Sequence, residues 1–249
     1  MKSVKRPKIG TLAYHDFFNS WNKINSFLEF VVNLVGYSEN VQTTAHNALF
    51  EFASDDEKIE MKKKWNARIS PVEMLSKHRQ FFLEIILVRH VENYLAYLSS
   101  ILFEIFTQRP ETLKSNEKID WDTVLSHDSI PELIRTLSEK KVDSLSYKSF
   151  EDLNSFFSDK FGIELIEKPK VKTIIDAIET RNISVHNRCI INKRYVQKTA
   201  KGADRLGKTR ILVLGDLEDT FVPLFAESVT SVDKNVRKVL KVKACRNSK

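Results

Sequence analysis

The chain has few of the residues that cross-link a fold or interrupt its helices, namely cysteine, glycine and proline. Its 249 residues include two cysteines, Cys189 and Cys245, six glycines and six prolines. Two cysteines without ligand-like spacing exclude a disulfide framework and argue against a zinc site. So few glycines and prolines favour long helices over a turn-rich β-sheet.

Long apolar runs are lacking as well. No stretch approaches the roughly 18 apolar residues that span a bilayer, and the first residues lack the uninterrupted apolar segment of a signal peptide. Hydrophobic residues make up 42% of the chain and charged residues 29%, which is ordinary for a domain that folds in water. The sequence therefore predicts a cytoplasmic protein with no membrane partner.

Positive charge exceeds negative charge, and its distribution is uneven. The formal net charge is +7, which favours a polyanionic partner, although a solvated basic face has the same composition. Between residues 188 and 210 only Asp204 opposes a series of basic residues: Arg188, Lys193, Arg194, Lys198, Lys201, Arg205, Lys208 and Arg210. RNA phosphate contacts and an ordinary solvated patch both remain open for this segment.

The spacing of apolar residues predicts a single all-α domain over residues 1–249. Helices are expected over 12–35, 41–52, 54–69, 70–108, 120–125, 129–137, 149–161, 170–178 and 216–243. Ser54 and Glu57 predict a capping box, Gly162 predicts a helix end, and a packing seam is expected along Val91, Leu95, Leu98, Leu102 and Ile105. The longest, residues 70–108, would exceed about 50 Å at 1.5 Å per residue and form the spine of a helical bundle. Three segments are expected to be irregular: a flexible basic lead (1–10), a basic loop (188–215) and a loose basic tail (241–249). Within the loop, β-prone runs at 194–198 and 209–214 predict a small β-hairpin before the C-terminal helix.

One predicted helix has polar side chains at positions where its spacing calls for apolar ones. Val171, Ile174, Ile175 and Ile178 mark a buried face, and the next positions on that face are Arg181 and Asn182. An arginine can bury its stem and keep its head in water, which is one explanation. The other is functional, because a cation, an amide and the imidazole of His186 suit the chemistry of a phosphodiester.

The spacing of these residues poses a geometric problem. Asn182 and His186 are four residues apart and share a helix face. Arg181 and His186 are five apart, which places them about 140° from each other around the axis. They can converge on one atom only if the helix ends near His186 or if a second copy of the segment faces the first across a two-fold axis.

The string Arg181-Asn182-x-x-x-His186-Asn187-Arg188 resembles the signature of the HEPN superfamily, helical proteins that include many RNA-cleaving toxins and defence nucleases. Arg89-His90-x-Glu92-x-Tyr94, followed by Arg109-Pro110-Glu111, is similar to larger members. Two positions depart from the family pattern. Arg188 stands where many toxin members carry a tyrosine, and Cys189 stands where similar members often have glycine.

The residues near the motif favour metal-independent RNA cleavage without a cofactor. No carboxylate cluster surrounds Arg181, and no Ser or Cys is paired with a base in sequence reach. His186 would take the proton of the RNA 2′-hydroxyl, and Arg181 would stabilise the charge on the phosphate oxygens. Asn182 would orient the reacting groups. Asn187, Arg188, Lys193 and Arg194 are candidate RNA contacts.

The resemblance implies a homodimer whose active site combines two copies of the motif and whose product carries a 2′,3′-cyclic phosphate. It also implies a toxin or antiviral-defence effector that acts on tRNA, rRNA or mRNA and is restrained by an antitoxin or sensor protein. Two alternatives remain: a non-catalytic module that binds RNA or dimerises, and a protein-interaction subunit of a larger defence complex.

Residues 202–209 also match the consensus of a phosphate-binding P-loop. Such a loop follows a buried strand and opens a helix. Here a basic polar segment precedes the match and a strand-like run, residues 211–214, follows it. The context therefore disfavours a nucleotide site.

Overall fold

The computed structural model describes residues 8–115 and 118–246, and most of them are helical. In chain order the helices are α1 (Leu12–Phe52), α2 (Asp55–Ala67), α3 (Pro71–Lys77), α4 (Arg79–Gln108), α5 (Trp121–Leu125), α6 (Ile130–Ser146), α7 (Phe150–Phe161), α8 (Lys168–His186), α9 (Lys193–Thr199) and α10 (Val222–Val239). A π-helical segment, Asp216–Phe221, precedes α10. The prediction of an all-α fold is confirmed. Within these two ranges, none of the helices is both long enough and apolar enough to cross a bilayer.

Helix α4 lies at the centre of the bundle and packs against α1, α6, α8 and α10. Four residues of its predicted seam, Val91, Leu98, Leu102 and Ile105, are buried, and the fifth, Leu95, is partly buried against the core. Buried tyrosines on the same helix tie it to α10: the Tyr94 hydroxyl lies 2.8 Å from Ser228 Oγ, and the Tyr97 hydroxyl donates to the Val229 carbonyl at 3.2 Å. Helix α8, which carries the motif, is therefore held against the most deeply buried element of the fold.

Local signals placed several helix ends correctly. Ser54 and Glu57 form the expected capping box of α2. Gly162 ends α7 with φ +66°, a left-handed conformation that glycine adopts without strain.

Other helix boundaries differ from the predictions. Helix α1 runs through Gly36 for 41 residues, so the expected break there is wrong; a glycine inside a helix costs only about 1 kcal/mol. The predicted spine is divided at His78 into α3 and α4. Helix α6 continues to Ser146, beyond the expected end at residue 137.

The predicted antiparallel β-element exists, but not at the expected place. Strand β1 (Ile9–Gly10) pairs with strand β2 (Cys245–Arg246), so the β-element joins the two ends of the chain. Residues 194–198 belong to α9 instead, because the side chain of Asn192 caps this helix by accepting from the Tyr195 N–H at 2.9 Å. Thr209, the first residue of the second predicted run, forms a single antiparallel bridge with Ile190, which lies outside the first run.

The described residues at both ends of the chain contact the rest of the fold. The His15 ring lies 3.1 Å from the Cys245 carbonyl oxygen, and the Lys243 N–H donates to Gln108 Oε1 at 2.8 Å. Gly10 and Val242 are buried. The remainder of the predicted lead and tail, residues 1–7 and 247–249, lies outside the described residues.

His90 makes the stability of the fold sensitive to acid. It is 1% exposed, and neither ring nitrogen has a hydrogen-bond partner among the described residues. Burial lowers the pKa of His90 from 6.5 to about 4. The unfolded chain therefore binds more protons between these two pH values, and the native state loses stability as the pH falls through 6.5 towards 4. Between pH 7 and pH 4.5 we expect His90 to contribute a loss of about 2 kcal/mol.

Urea unfolding of wild type and His90→Leu at both pH values measures this contribution. The variant should lose less stability on acidification than wild type does. His46→Gln is the matched control, because His46 is only half-buried, and it should lose as much as wild type. Equal losses in wild type and His90→Leu would contradict the prediction.

Candidate active site

The motif occupies the last two turns of α8. Ile174, Ile175 and Ile183 are buried against the core, and they fix the orientation of the helix. Arg181 and Asn182 are half-buried, whereas His186 is exposed. Because Arg181 and His186 lie on one continuous helix, their side chains leave it in different directions, as the five-residue spacing requires.

Arg181 is held by two side chains. Its Nη2 lies 3.2 Å from Glu92 Oε1, and its Nη1 donates to Asn182 Oδ1 at 3.1 Å. Its Nε is buried and has no hydrogen-bond partner among the described residues. The side chain is about one-fifth exposed, so its charge remains accessible at the surface. The guanidinium is thus positioned by Glu92 and Asn182 before any ligand binds.

Glu92 is a site residue that the sequence did not identify as a partner of Arg181. It lies on α4, 89 residues upstream of Arg181, and it also pairs with Arg89 at 3.0 Å. The sequence marked Glu92 only as part of the Arg89-His90-x-Glu92 string. That string suggested a family resemblance but did not indicate a contact with Arg181. Glu179, two residues before Arg181 in the chain, pairs with Arg194 Nε at 3.5 Å.

His186 is the final residue of α8. Its ring makes no hydrogen bond or ion pair within the described ranges, and it faces solvent. Asn187 follows as the C-cap, and its Nδ2 donates to the Ile190 carbonyl at 2.7 Å. The structure therefore gives Asn187 a role in shaping the turn and leaves the imidazole of His186 available.

The turn after α8 uses two consecutive left-handed residues, Arg188 at φ +49° and Cys189 at φ +58°. Glycine is favoured in this conformation, which explains physically why the position of Cys189 suits a glycine. The Cys189 N–H donates to the Ile183 carbonyl at 2.9 Å, and its carbonyl accepts from Arg210 at 2.8 Å. Its buried thiol lies 3.3 Å from the Arg210 carbonyl. These contacts tie the turn to the end of the basic segment.

A cleft of about 360 Å³ opens beside Arg181. It lies between α4, α6, α7 and α8, and the turn at residues 147–149 forms part of its rim. Arg181, Asn182, Glu179 and Arg194 all line it, whereas His186, Asn187, Arg188 and Lys193 do not. The structure therefore brings together Arg181, Asn182 and Arg194 of the predicted residues and leaves His186 outside the cleft.

Helix α9 is attached to α8 by buried polar contacts. Asp176 is 1% exposed, and its Oδ1 accepts from the Tyr195 hydroxyl at 2.7 Å. Its Oδ2 lies 2.7 Å from Lys201 Nζ. Burial is the main cause that raises the pKa of Tyr195, so this hydroxyl stays protonated and donates to Asp176. These contacts position Arg194 at the cleft.

Asp176→Ala is expected to destabilise the protein by about 2 kcal/mol, because the buried Tyr195 hydroxyl loses its acceptor. Thermal unfolding measures the change. The control is Lys198→Ala, which removes an exposed ion pair with Glu151 and should alter stability by less than about 1 kcal/mol. A melting temperature for Asp176→Ala equal to that of the control would show that Asp176 does not anchor α9.

No protein-family model matches the chain, and neither a curated protein nor a solved structure is significantly similar to it. Among the described residues, no group of three or more His, Cys, Asp and Glu side chains is arranged to hold a metal ion. The P-loop match at residues 202–209 is a 3₁₀ turn, Ala203–Arg205, with no helix opening at Thr209, so a P-loop is excluded.

Proposed function

We propose that this protein is an endoribonuclease that cleaves RNA without a metal ion. One arrangement supports the proposal: Arg181 and Asn182 lie at the edge of a cleft while the imidazole of His186 is exposed at the end of the same helix. Arg194, which belongs to the basic segment, lines that cleft too. A cation, an amide and a proton acceptor thus lie on one rigid element beside positive charge.

The proposed reaction needs only the RNA and these side chains. The 2′-hydroxyl loses its proton to His186, and the resulting oxyanion forms a bond to the neighbouring phosphorus. The bond between phosphorus and the 5′-oxygen breaks, and that oxygen takes up a proton from an imidazolium. Imidazole suits both transfers because it gains and loses a proton near neutral pH. Arg181 stabilises the charge on the non-bridging oxygens.

The proposed active unit is a homodimer. Within one chain Arg181 faces the cleft and His186 does not, so a second copy of α8 across a two-fold axis would supply the missing group. Val185, next to His186, is 48% exposed.

Incubation of the purified protein with total cellular RNA in EDTA tests the proposal. We expect discrete fragments that end in a 2′,3′-cyclic phosphate, and the RNA class that disappears identifies the substrate as tRNA, rRNA or mRNA. DNA and 2′-O-methyl RNA should remain intact because they lack the attacking hydroxyl. Fragments that end in a 3′-hydroxyl, or cleavage that requires Mg²⁺, would contradict the mechanism.

A non-catalytic RNA-binding or dimerisation module is the second candidate. The ion pair between Arg181 and Glu92 favours it, because a guanidinium already neutralised by a carboxylate has less charge to offer a phosphate. This candidate predicts RNA binding that weakens steeply with salt and is accompanied by no cleavage.

For the ribonuclease, the wider role that we propose is a toxin or antiviral-defence effector of the cytoplasm, restrained by a separate antitoxin or sensor protein.

A further inference from the structure

The cleft beside Arg181 has an exposed aromatic residue on its rim. Tyr147 caps the C-terminal end of α6 and is 90% exposed. It lines the cleft together with its neighbour Lys148. A large aromatic ring left in solvent beside a cation is a common platform for the bases of single-stranded nucleic acid, because every base can stack on it.

The floor of the cleft is apolar and rigid. Leu98, Leu102 and Leu145 contribute to it, and each is at most 2% exposed. Phe150 and Ile175 extend the same surface. The volume of about 360 Å³ lies in the range of small-molecule sites. A flat, largely apolar group such as a nucleobase is therefore compatible with the cleft in both size and polarity.

The charged groups around the cleft leave it net basic. Arg181, Arg194 and Lys148 line the cleft together with two acids, Glu179 and Glu151. A third acid, Glu92, pairs with Arg181 from outside the lining and is shared with Arg89. Both lining acids are engaged by cations of the basic segment, Glu179 by Arg194 at 3.5 Å and Glu151 by Lys198 at 3.4 Å. The rim can therefore accept the phosphates on either side of an inserted base.

The side-chain amide of Asn182 can form a hydrogen bond with the edge of a base. Its Oδ1 accepts from Arg181 Nη1 at 3.1 Å, so its Nδ2 is the half of the amide that can donate to an acceptor on a base edge. Asn182 would then select the base next to the cleaved phosphate.

We propose that the cleft binds one unstacked nucleobase of single-stranded RNA. The base enters against the apolar floor, Tyr147 stacks on it, Asn182 Nδ2 donates to its edge, and Arg181 and Lys148 contact the flanking phosphates. This inference rests on the proposed function, since it defines the substrate of that site as single-stranded. It also makes Tyr147 an RNA-binding residue that lies outside the motif.

Binding of an eight-nucleotide 2′-O-methyl RNA, followed by fluorescence anisotropy in EDTA, tests the cleft separately from catalysis because this RNA cannot be cleaved. Tyr147→Ala should weaken binding about tenfold, and Tyr147→Phe should bind like wild type because it keeps the stacking surface. Trp121→Ala is the matched control. Trp121 is an aromatic residue of α5 that is 77% exposed and lies outside the cleft, and its removal should leave binding unchanged.

Octamers with one abasic position locate the bound base. Wild type should lose about tenfold in affinity at a single abasic position, and Tyr147→Ala should show no such position. Wild-type affinity in Tyr147→Ala, equal affinity for all abasic octamers, or equal competition by duplex RNA would each overturn the cleft assignment. The proposed function can fail separately: a chain that binds through Tyr147 and never cleaves keeps the base site and loses the nuclease assignment.

Discussion

Replacing His186 with alanine is expected to lower the rate of RNA cleavage at least about 100-fold, because the 2′-hydroxyl loses its proton acceptor. The side chain is exposed and makes no hydrogen bond within the described ranges, so the variant should melt at the wild-type temperature. Initial rates on the RNA identified with the wild-type enzyme, measured in EDTA, give the comparison. Cleavage by His186→Ala at the wild-type rate would remove this residue from the mechanism.

Replacing Arg181 with lysine tests the residue that is proposed to stabilise the charge on the phosphate oxygens. Lysine keeps the charge but lacks the planar fork that contacts two phosphate oxygens at once, and we expect a loss of about 10-fold to 100-fold in rate. The matched control is Arg89→Ala, which removes the other arginine that pairs with Glu92 at a similar distance. Because Arg89 does not line the cleft, this control should cleave at nearly the wild-type rate.

Mixing two inactive variants is expected to restore activity. If each active site takes Arg181 from one copy and His186 from the other, a heterodimer of Arg181→Ala with His186→Ala contains one complete site and one empty site. Random exchange of subunits places half of the molecules in heterodimers, so the mixture should reach about one quarter of the wild-type rate. Each variant alone should remain inactive.

The control for this experiment mixes Arg181→Ala with the double variant Arg181→Ala, His186→Ala, which cannot form a complete site in any pairing. Exchange of subunits is followed with two fluorescent labels in parallel. If labels exchange and no activity returns, Arg181 and His186 do not act from opposite copies. Recovery in the control mixture would point to a contaminating nuclease.

Short-range signals were the reliable part of the sequence. The capping box of Ser54 and Glu57 and the left-handed Gly162 both act within a few residues, and both were found as predicted. The seam of α4 was predicted for the same reason, since its apolar spacing repeats along one helix. Val239 marks the limit of such reasoning: it continues the spacing of Val232 and Val236 but is 53% exposed, because α10 ends there.

Residues 193–199 show why the β-element lies elsewhere than predicted. Tyr195 and Val196 are β-prone in isolation, but a local helix cap and a contact with a more distant residue decide their conformation. Asn192 caps the helix, and Tyr195 is held by Asp176, 19 residues away. Tertiary context overrides a weak local propensity in this way because the buried hydrogen bond outweighs a few tenths of a kcal/mol per residue.

The sequence alone determined the helical class, the motif on α8 and the angle between Arg181 and His186, because each follows from the period of a single helix. Only the tertiary structure decided which groups those residues meet. Glu92 reaches Arg181 from α4, Glu179 turns to Arg194, and Tyr147 stands at the rim of the cleft. These contacts join residues far apart in the chain, and no local spacing encodes them, because they depend on how whole helices pack around α4.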